Sequence, residues 1–212
     1  MSLSPCAPFD LYLASHSPRR RELLAQLNIR YQLLSVSVDE RPRPGESVTA
    51  LVVRLAAEKA QAGAAQIATT LSSIPVLGAD TLVVVDGEPL GKPANRAAAL
   101  AMLARLSGRE HQVLSGIAIV LDGVCHTRLV SSRVTFCTIS DDEAAAYWRS
   151  GEPSDKAGGY AIQGRGARFV QQIVGSYSGV MGLPLYETAE LLQQLGVVWP
   201  WDETISPQNE AV

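Results

Sequence analysis

The sequence predicts an α/β protein: a mixed, twisted β-sheet with helices on its faces. Two observations carry that reading. Apolar strand-like runs alternate along the chain with segments of 3.6-residue periodicity, the pattern of helices returning over a sheet. A central pair of long runs, HQVLSGIAIVL and VCHTRLVSSRVTFCTI, flanks Asp122-Gly123, a tight hairpin signal that adds antiparallel pairing.

Taken in order, DLYLAS (10–15) reads as a short buried strand leading to Ser17, an N-cap residue, and to Pro18 at the first helical position. PRRRELLAQL then sets Leu23, Leu24 and Leu27 on one helical face, and Asn28 is a stop signal. RYQLLSVSV (30–38) is a second strand, followed by the loop DERPRPGES. Ser47 caps a long helix to about residue 68, with Leu51, Val52, Leu55, Ala56 and Ala62 on its buried stripe. IPVLGADTLVVVDGEPLGKP (74–93) is a strand pair turning at DGE, and Asn95 caps a helix to Leu106. After the hairpin, SDDE at Ser140 forms a capping box on a helix that Gly151 closes. A glycine-rich loop (151–166), a strand (167–174) and a helix from Pro184 to Leu195 complete the pattern. The expectation is one domain over 1–212 with its core at 10–197 and a dispensable tail at 200–212.

With 18 Lys+Arg against 21 Asp+Glu, a formal charge of −3 leaves no bulk cationic surface for a nucleic-acid backbone. Three Trp, six Tyr and three Phe offer few stacking surfaces, so an RNA-binding module is the weakest class. No apolar run approaches the ~18 residues of a membrane span, and MSLSPCAPFD lacks a basic segment followed by an apolar one. The expected location is the cytoplasm, with no membrane partner. Cys6, Cys125 and Cys137 form no CxxC pair, and His16, His111 and His126 lack HxxxH spacing. Any metal must then be held by oxygen, which points to magnesium or manganese.

Three features depart from what a plain core and surface require. Arg19, Arg20 and Arg21 crowd the first turn of a helix, where each exposed cation opposes the macrodipole by about 0.3–1 kcal/mol. A solvated helix end is open for any one of them, with Arg21 the best candidate for plain surface. Three together favour an anion site, because free N–H groups and guanidinium forks both suit phosphate oxygens. Lys59 falls on the buried stripe of its helix, either snorkelling outward or aimed into a cleft; Glu58, about 100° around the helix, is a poor partner for it. Asp80 sits in an apolar run where an unpaired carboxylate is costly, so it either caps a turn through Gly78 or faces a cleft as a base.

DGEPLGKP invites a phosphate-loop match and fails it. Three residues separate Gly87 from the Gly91-Lys92 pair where four are needed, and Pro93 follows in place of Ser or Thr. Lys92 is either a plain surface lysine beside the hairpin, the commoner case for such a residue alone, or a point charge that can still meet a phosphate. SDKAGGYAIQGRGARF holds Gly158, Gly159, Gly164 and Gly166 around Gln163, without the third glycine of a dinucleotide fingerprint. Those glycines serve either tight turns or the close approach of backbone amides to a ligand, with Gln163 offering both a donor and an acceptor.

Together these stretches resemble the Maf family of nucleoside triphosphate pyrophosphatases from about Leu11 to Leu195. The resemblance rests on ASHSPRRREL, VDE then RLAAEKA, VLGADTLVVVDGEPLGKP, LSGREHQVLSGIAI, SGEPSDKAGGYAIQGRGARFV and GSYSGVMGLPLYET, in that order. It is most similar to the members that act on dTTP and UTP, as Thr81 after GAD suggests. The resemblance implies a two-lobed, inosine-triphosphatase-like fold with a central cleft and hydrolysis between the α- and β-phosphates with a divalent cation. It also implies that Ser15, Arg19, Arg20, Lys59 and Lys92 contact the triphosphate. Glu40 and Asp80 would serve the metal and the attacking water, with Asp80 as proton acceptor, and Arg19, Thr81 and Gln163 would govern base choice. A homodimer is implied as well. The alternative is a nucleotide-binding regulator of septum formation without significant turnover.

Overall fold

The computed structural model describes residues 9–67 and 74–197; Cys6 and the 200–212 tail lie outside the described residues. Seven strands form one sheet: β1 (Leu11–Ala14), β2 (Tyr31–Leu33), β3 (Val76–Val85), β4 (Glu88–Leu90), β5 (Glu110–Leu121), β6 (Val124–Phe136) and β7 (Val170–Val174). Their spatial order is β2-β1-β3-β5-β6-β7, with β4 also on β3; β2, β1 and β3 run parallel, and the other pairs are antiparallel. The helices are α1 (Pro18–Gln26), α2 (Val48–Ile67), α3 (Arg96–Leu106), α4 (Asp141–Arg149), α5 (Tyr177–Met181) and α6 (Leu185–Gln194). The mixed α/β architecture is the one the alternating pattern predicts.

Both tight hairpins follow from Asp-Gly pairs. Asp86-Gly87 and Asp122-Gly123 all have positive φ, the conformation that matches the twist of the flanking strands. Asn95 and Ser140 cap α3 and α4 through their side chains, the latter in a full capping box with Glu143.

Four expectations need correction. Ser17 stands at the N-cap of α1 with an extended backbone but makes no side-chain cap bond; its own amide is instead held by Ser15 Oγ at 3.3 Å. The second strand covers Tyr31–Leu33 rather than 30–38, because its sole partner β1 leaves the sheet at Ala14. The glycine-rich segment is not open loop: three 3-10 turns cover Glu152–Asp155, Ala157–Gly159 and Arg165–Phe169, so β7 starts only at Val170. The short helix α5 has no counterpart in the periodicity, since five residues are too few to show one.

The faces of β3 divide the molecule. Odd positions Leu77 and Ala79 join Leu11, Leu13, Leu23, Leu24, Leu191 and Leu192 under α1 and α6, while Val83 and Val85 join a separate cluster with Leu103, Leu106 and Phe136. On the opposite face Val76 packs with Ala56 and Ala60 of α2. Alpha2 seats very close to this face because two glycines clear its path. A Cβ at Gly78 would lie 2.4 Å from Ala56 O, and one at Gly116 would lie 2.5 Å from Val52 O.

The edge of β3 that faces β1 and β4 carries a gap. Beta1 pairs with it only as far as Ala14↔Gly78, and β4 takes over only at Val83↔Leu90. Positions 79–82 therefore have no strand partner on that side, and the chain leaving each neighbour turns past the opening. The two apolar clusters flank this break as two lobes, with a cleft between them.

Candidate active site

The cleft at the gap has a volume of about 1030 Å³, and its lining includes Ser15, Arg19, Arg20, Glu40, Lys59, Asp80, Thr81, Lys92 and Gln163. All nine residues singled out as site candidates thus meet in one space, although they come from six separate segments of chain. Arg21 is half-buried and does not line the cleft.

Asp80 points from mid-strand toward α2, so it caps no turn at Gly78. Lys59 reaches it from α2: Nζ donates to Asp80 Oδ1 at 2.7 Å and to Glu40 Oε1, also at 2.7 Å. The lysine does not snorkel outward, since its side chain is 13% exposed and that of Asp80 is 12% exposed. Glu58 bonds instead to Arg43 and Arg54. Glu40 stands on the loop between β2 and α2 with 65% of its side chain exposed. Its carboxyl is held below the usual range first by the Lys59 hydrogen bond, against partial burial, with further lowering from the charges of Lys59, Lys92 and Arg20.

Thr81, one residue on from Asp80, faces the opposite side of the sheet. The open strand edge lets both neighbours border the same cleft. Thr81 Oγ1 lies 3.2 Å from Ser115 Oγ, its cross-strand partner, and 3.4 Å from the carbonyl of Gly182. Ser115 Oγ in turn donates to Gly179 O at 2.7 Å. The Gly182 carbonyl also accepts from Arg20 Nε at 2.8 Å, while Arg20 Nη1 donates to Ser15 Oγ at 3.0 Å. Burial lowers the pKa of this guanidinium, and the carboxylates of Asp80 and Glu40 push it back up. Its Nη2 makes no hydrogen bond among the described residues. Of the three clustered arginines, Arg20 is therefore the one folded inward, and Arg19 stays half-buried at the cleft.

Gln163 is exposed at the mouth of the cleft. The glycines beside it serve packing rather than ligand approach. Glu152 accepts from the amides of Arg165 and Gly166 and from Tyr147 Oη, and a Cβ at Gly164 would lie 2.3 Å from Glu152 Oε2.

Ser115, the Gly182 carbonyl and the Tyr160 side chain were not anticipated as parts of this neighbourhood. Ser115 carries the same signal as Asp80, a polar residue within an apolar strand, and was legible on that ground. Tyr160 lines the cleft, and its hydroxyl lies 2.9 Å from His111 Nε2 in the buried interior.

Among the described residues no group of three or more His, Cys, Asp and Glu side chains assembles as a metal cage. Glu40 and Asp80 nevertheless offer two hard carboxylates on the cleft, each bonded to Lys59 through one oxygen. That donor set fits a cation of the magnesium type, which takes one or two carboxylates and completes its shell with water and substrate phosphates.

The chain is similar to several known proteins. A family model described as Maf-like protein matches residues 10–195. A dTTP/UTP pyrophosphatase of Saccharophagus degradans is 52% identical over 191 residues, covering 90% of this chain and 91% of that one. One from Pseudoalteromonas translucida is 52% identical over 183 residues, covering 86% and 95%. Among solved structures, a nucleoside-triphosphatase / dITP/XTP pyrophosphatase from Mycobacterium abscessus superposes with a TM-score of 0.40 at 16% identity, covering 93% of this chain and 98% of that one. With its motifs in order and the match extending from the first described strand through the last described helix, the chain belongs to the Maf family.

Proposed function

We propose that this protein is a nucleoside triphosphate pyrophosphatase that hydrolyses dTTP and UTP to the monophosphate and pyrophosphate. One observation carries the reading: a lysine bridges two carboxylates at a break in the sheet edge, and two arginines and a second lysine border the same cleft. A triphosphate is the ligand whose charge matches that set. The first turn of α1, with no side-chain cap, leaves amides to meet an anion alongside Arg19 and Arg20. Relatives at 52% identity carry the name dTTP/UTP pyrophosphatase.

In this reading Ser15, Arg19, Arg20, Lys59 and Lys92 hold the phosphates, and Thr81 and Gln163 meet the base. Asp80 accepts a proton from the water that adds across the α–β anhydride, and the Lys59 hydrogen bond keeps its carboxylate aimed. Glu40 and Asp80 would hold a magnesium or manganese ion, which when bound neutralises phosphate charge and acidifies water. The protein acts as a cytoplasmic homodimer, without nucleic-acid or membrane partners. A septum regulator that binds nucleotide without turnover is disfavoured, because such binding needs cations and not the paired acids.

The test is pyrophosphate release from dTTP, UTP and CTP with magnesium. We expect dTTP and UTP to be turned over, with Asp80→Asn losing turnover while it still binds nucleotide. No release from any nucleoside triphosphate would sink the assignment, and an active Asp80→Asn would remove Asp80 as the proton acceptor.

A further inference from the structure

Glu40 presents a problem of placement. It rides on an irregular loop in which, from Ser35 to Ser47, the described backbone–backbone hydrogen bonds from loop amides reduce to one, Glu46 N to Arg43 O at 3.0 Å. Its carboxylate nevertheless meets Lys59 squarely. The residue that ties this loop down is Arg54, which lies on α2 about 1.4 turns before Lys59.

Arg54 donates five hydrogen bonds, matching the five N–H groups of a guanidinium. Nε and Nη2 grip the two oxygens of Glu46 at 2.6 and 2.8 Å, and Nη1 meets Glu58 Oε2 at 3.0 Å. The other two bonds go to backbone carbonyls: Nη1 to Asp39 O at 3.5 Å and Nη2 to Arg41 O at 3.1 Å. Those are the carbonyls on either side of Glu40. Glu46 and Glu58 reinforce the arrangement by taking the amide and the guanidinium of Arg43 at 3.0 and 2.7 Å. The Arg54 side chain is 12% exposed and that of Glu46 is 9% exposed, so this is an ordered junction rather than a solvated ion pair.

We propose that Arg54 is a positioning residue for Glu40: by clamping the two carbonyls that flank it, Arg54 holds the Glu40 carboxylate in register with Lys59 on the same helix. The helix serves as the ruler, since one end of a short span carries the clamp and the other carries the lysine. Only a guanidinium fits the task, because a lysine head is a single point that cannot serve two acids and two carbonyls together. The consequence for catalysis rests on the pyrophosphatase reading above.

The decisive variant is Arg54→Lys, which keeps the charge beside Glu46 and Glu58 but cannot span both carbonyls, with Arg43→Gln as a control that spares them. Hydrogen exchange is measured first, with no nucleotide present. Faster exchange at the Arg43 and Glu46 amides is expected in Arg54→Lys, and native protection there would overturn the clamp whatever the protein hydrolyses. In dTTP turnover with magnesium, kcat/KM is expected to fall by about tenfold to a hundredfold in Arg54→Lys and by less than about twofold in Arg43→Gln. Added to Glu40→Gln, the Arg54 change is expected to cost nothing further, because its effect passes through a carboxylate already removed. An equal loss in both backgrounds makes Arg54 a stability residue and overturns the proposal. If Arg54→Lys does not fold, Glu46→Gln takes its place: it loosens the guanidinium at two points, is expected to show the same non-additivity with a smaller loss, and overturns the proposal if its effect is additive. Absence of turnover by the native protein would reject the pyrophosphatase reading while the exchange measurement still decides the clamp.

Discussion

Lys59 is the residue on which the site turns, because its ammonium is shared by two carboxylates that would otherwise repel across the cleft. Replacing it with methionine leaves Asp80 as an unpartnered buried carboxylate, an arrangement that costs about 3–5 kcal/mol when one member of a buried pair is removed. We expect Lys59→Met to lose dTTP turnover and to unfold at lower urea concentration, both read against the native chain. The sequence located this lysine correctly as an anomaly on an apolar stripe, and it located Asp80 by the same logic. It could not say that the two anomalies answer each other, since their meeting depends on how closely α2 approaches the sheet. A second buried residue makes stability depend on pH. His111 is buried beside Tyr160 and Phe136, and burial lowers its pKa from 6.5 to about 4. The folded state therefore refuses a proton that the unfolded chain accepts below pH 6.5. Its contribution is fully present above pH 6.5 and is lost as pH falls toward 4, amounting to about 3 kcal/mol over that window. Urea unfolding from pH 7 to pH 4 is expected to show this decline in the native protein and a shallower one in His111→Gln; parallel curves would contradict it.

At the scale of elements, α2 is the piece that converts sequence into geometry. Its apolar stripe was legible from periodicity, and Leu51, Val52, Leu55 and Ala56 are buried as that stripe requires, whereas Ala62 is half-buried. What periodicity does not reveal is depth. The helix sits low because Gly78 and Gly116 present no side chain to it, and the low seat lets Lys59 reach Asp80 on the strand below. Gly78→Ala tests this directly: the new methyl would press on Ala56 O and Ala60 N, both backbone atoms that cannot rotate away. A cost of about 3 kcal/mol, at the top of the usual range for overpacking, is expected in urea unfolding. Turnover should fall further than folding loss explains, since lifting α2 draws Lys59 from Asp80. A variant with native turnover would separate the helix seat from the site. The elements that escaped sequence reading did so for two reasons. Beta2 is cut short by the length of its partner, and α5 and the three 3-10 turns are too brief for a period to register. Yet α5 leads into Gly182, whose carbonyl anchors both Arg20 and Thr81, so part of the site hangs on an element that only the fold makes visible.

At the scale of the molecule, the break along β3 makes the two lobes contribute opposite walls of one cleft. Arg20 and Ser15 come from the chain leaving β1, Lys92 from the chain leaving β4, and Lys59 from the helix beneath the break. A ligand that satisfies all of these cations must bridge the lobes, so binding and global stability are coupled through it. The Asp80→Asn variant, which retains the cations, allows this to be measured without turnover. Nucleotide at about 100 times its Kd stabilises the folded state by about 2.7 kcal/mol. For a chain of this size, each kcal/mol raises Tm by about 2–4 °C, so dTTP with magnesium should raise the melting temperature of Asp80→Asn by about 5–10 °C. Adding Lys92→Ala should abolish most of that rise at the same nucleotide concentration, because one wall then keeps only Lys156, which is paired with Asp155, while the other wall is intact. A rise that survives the loss of Lys92 would mean that the phosphates bind one lobe alone, and the bridging role of the cleft would have to be abandoned.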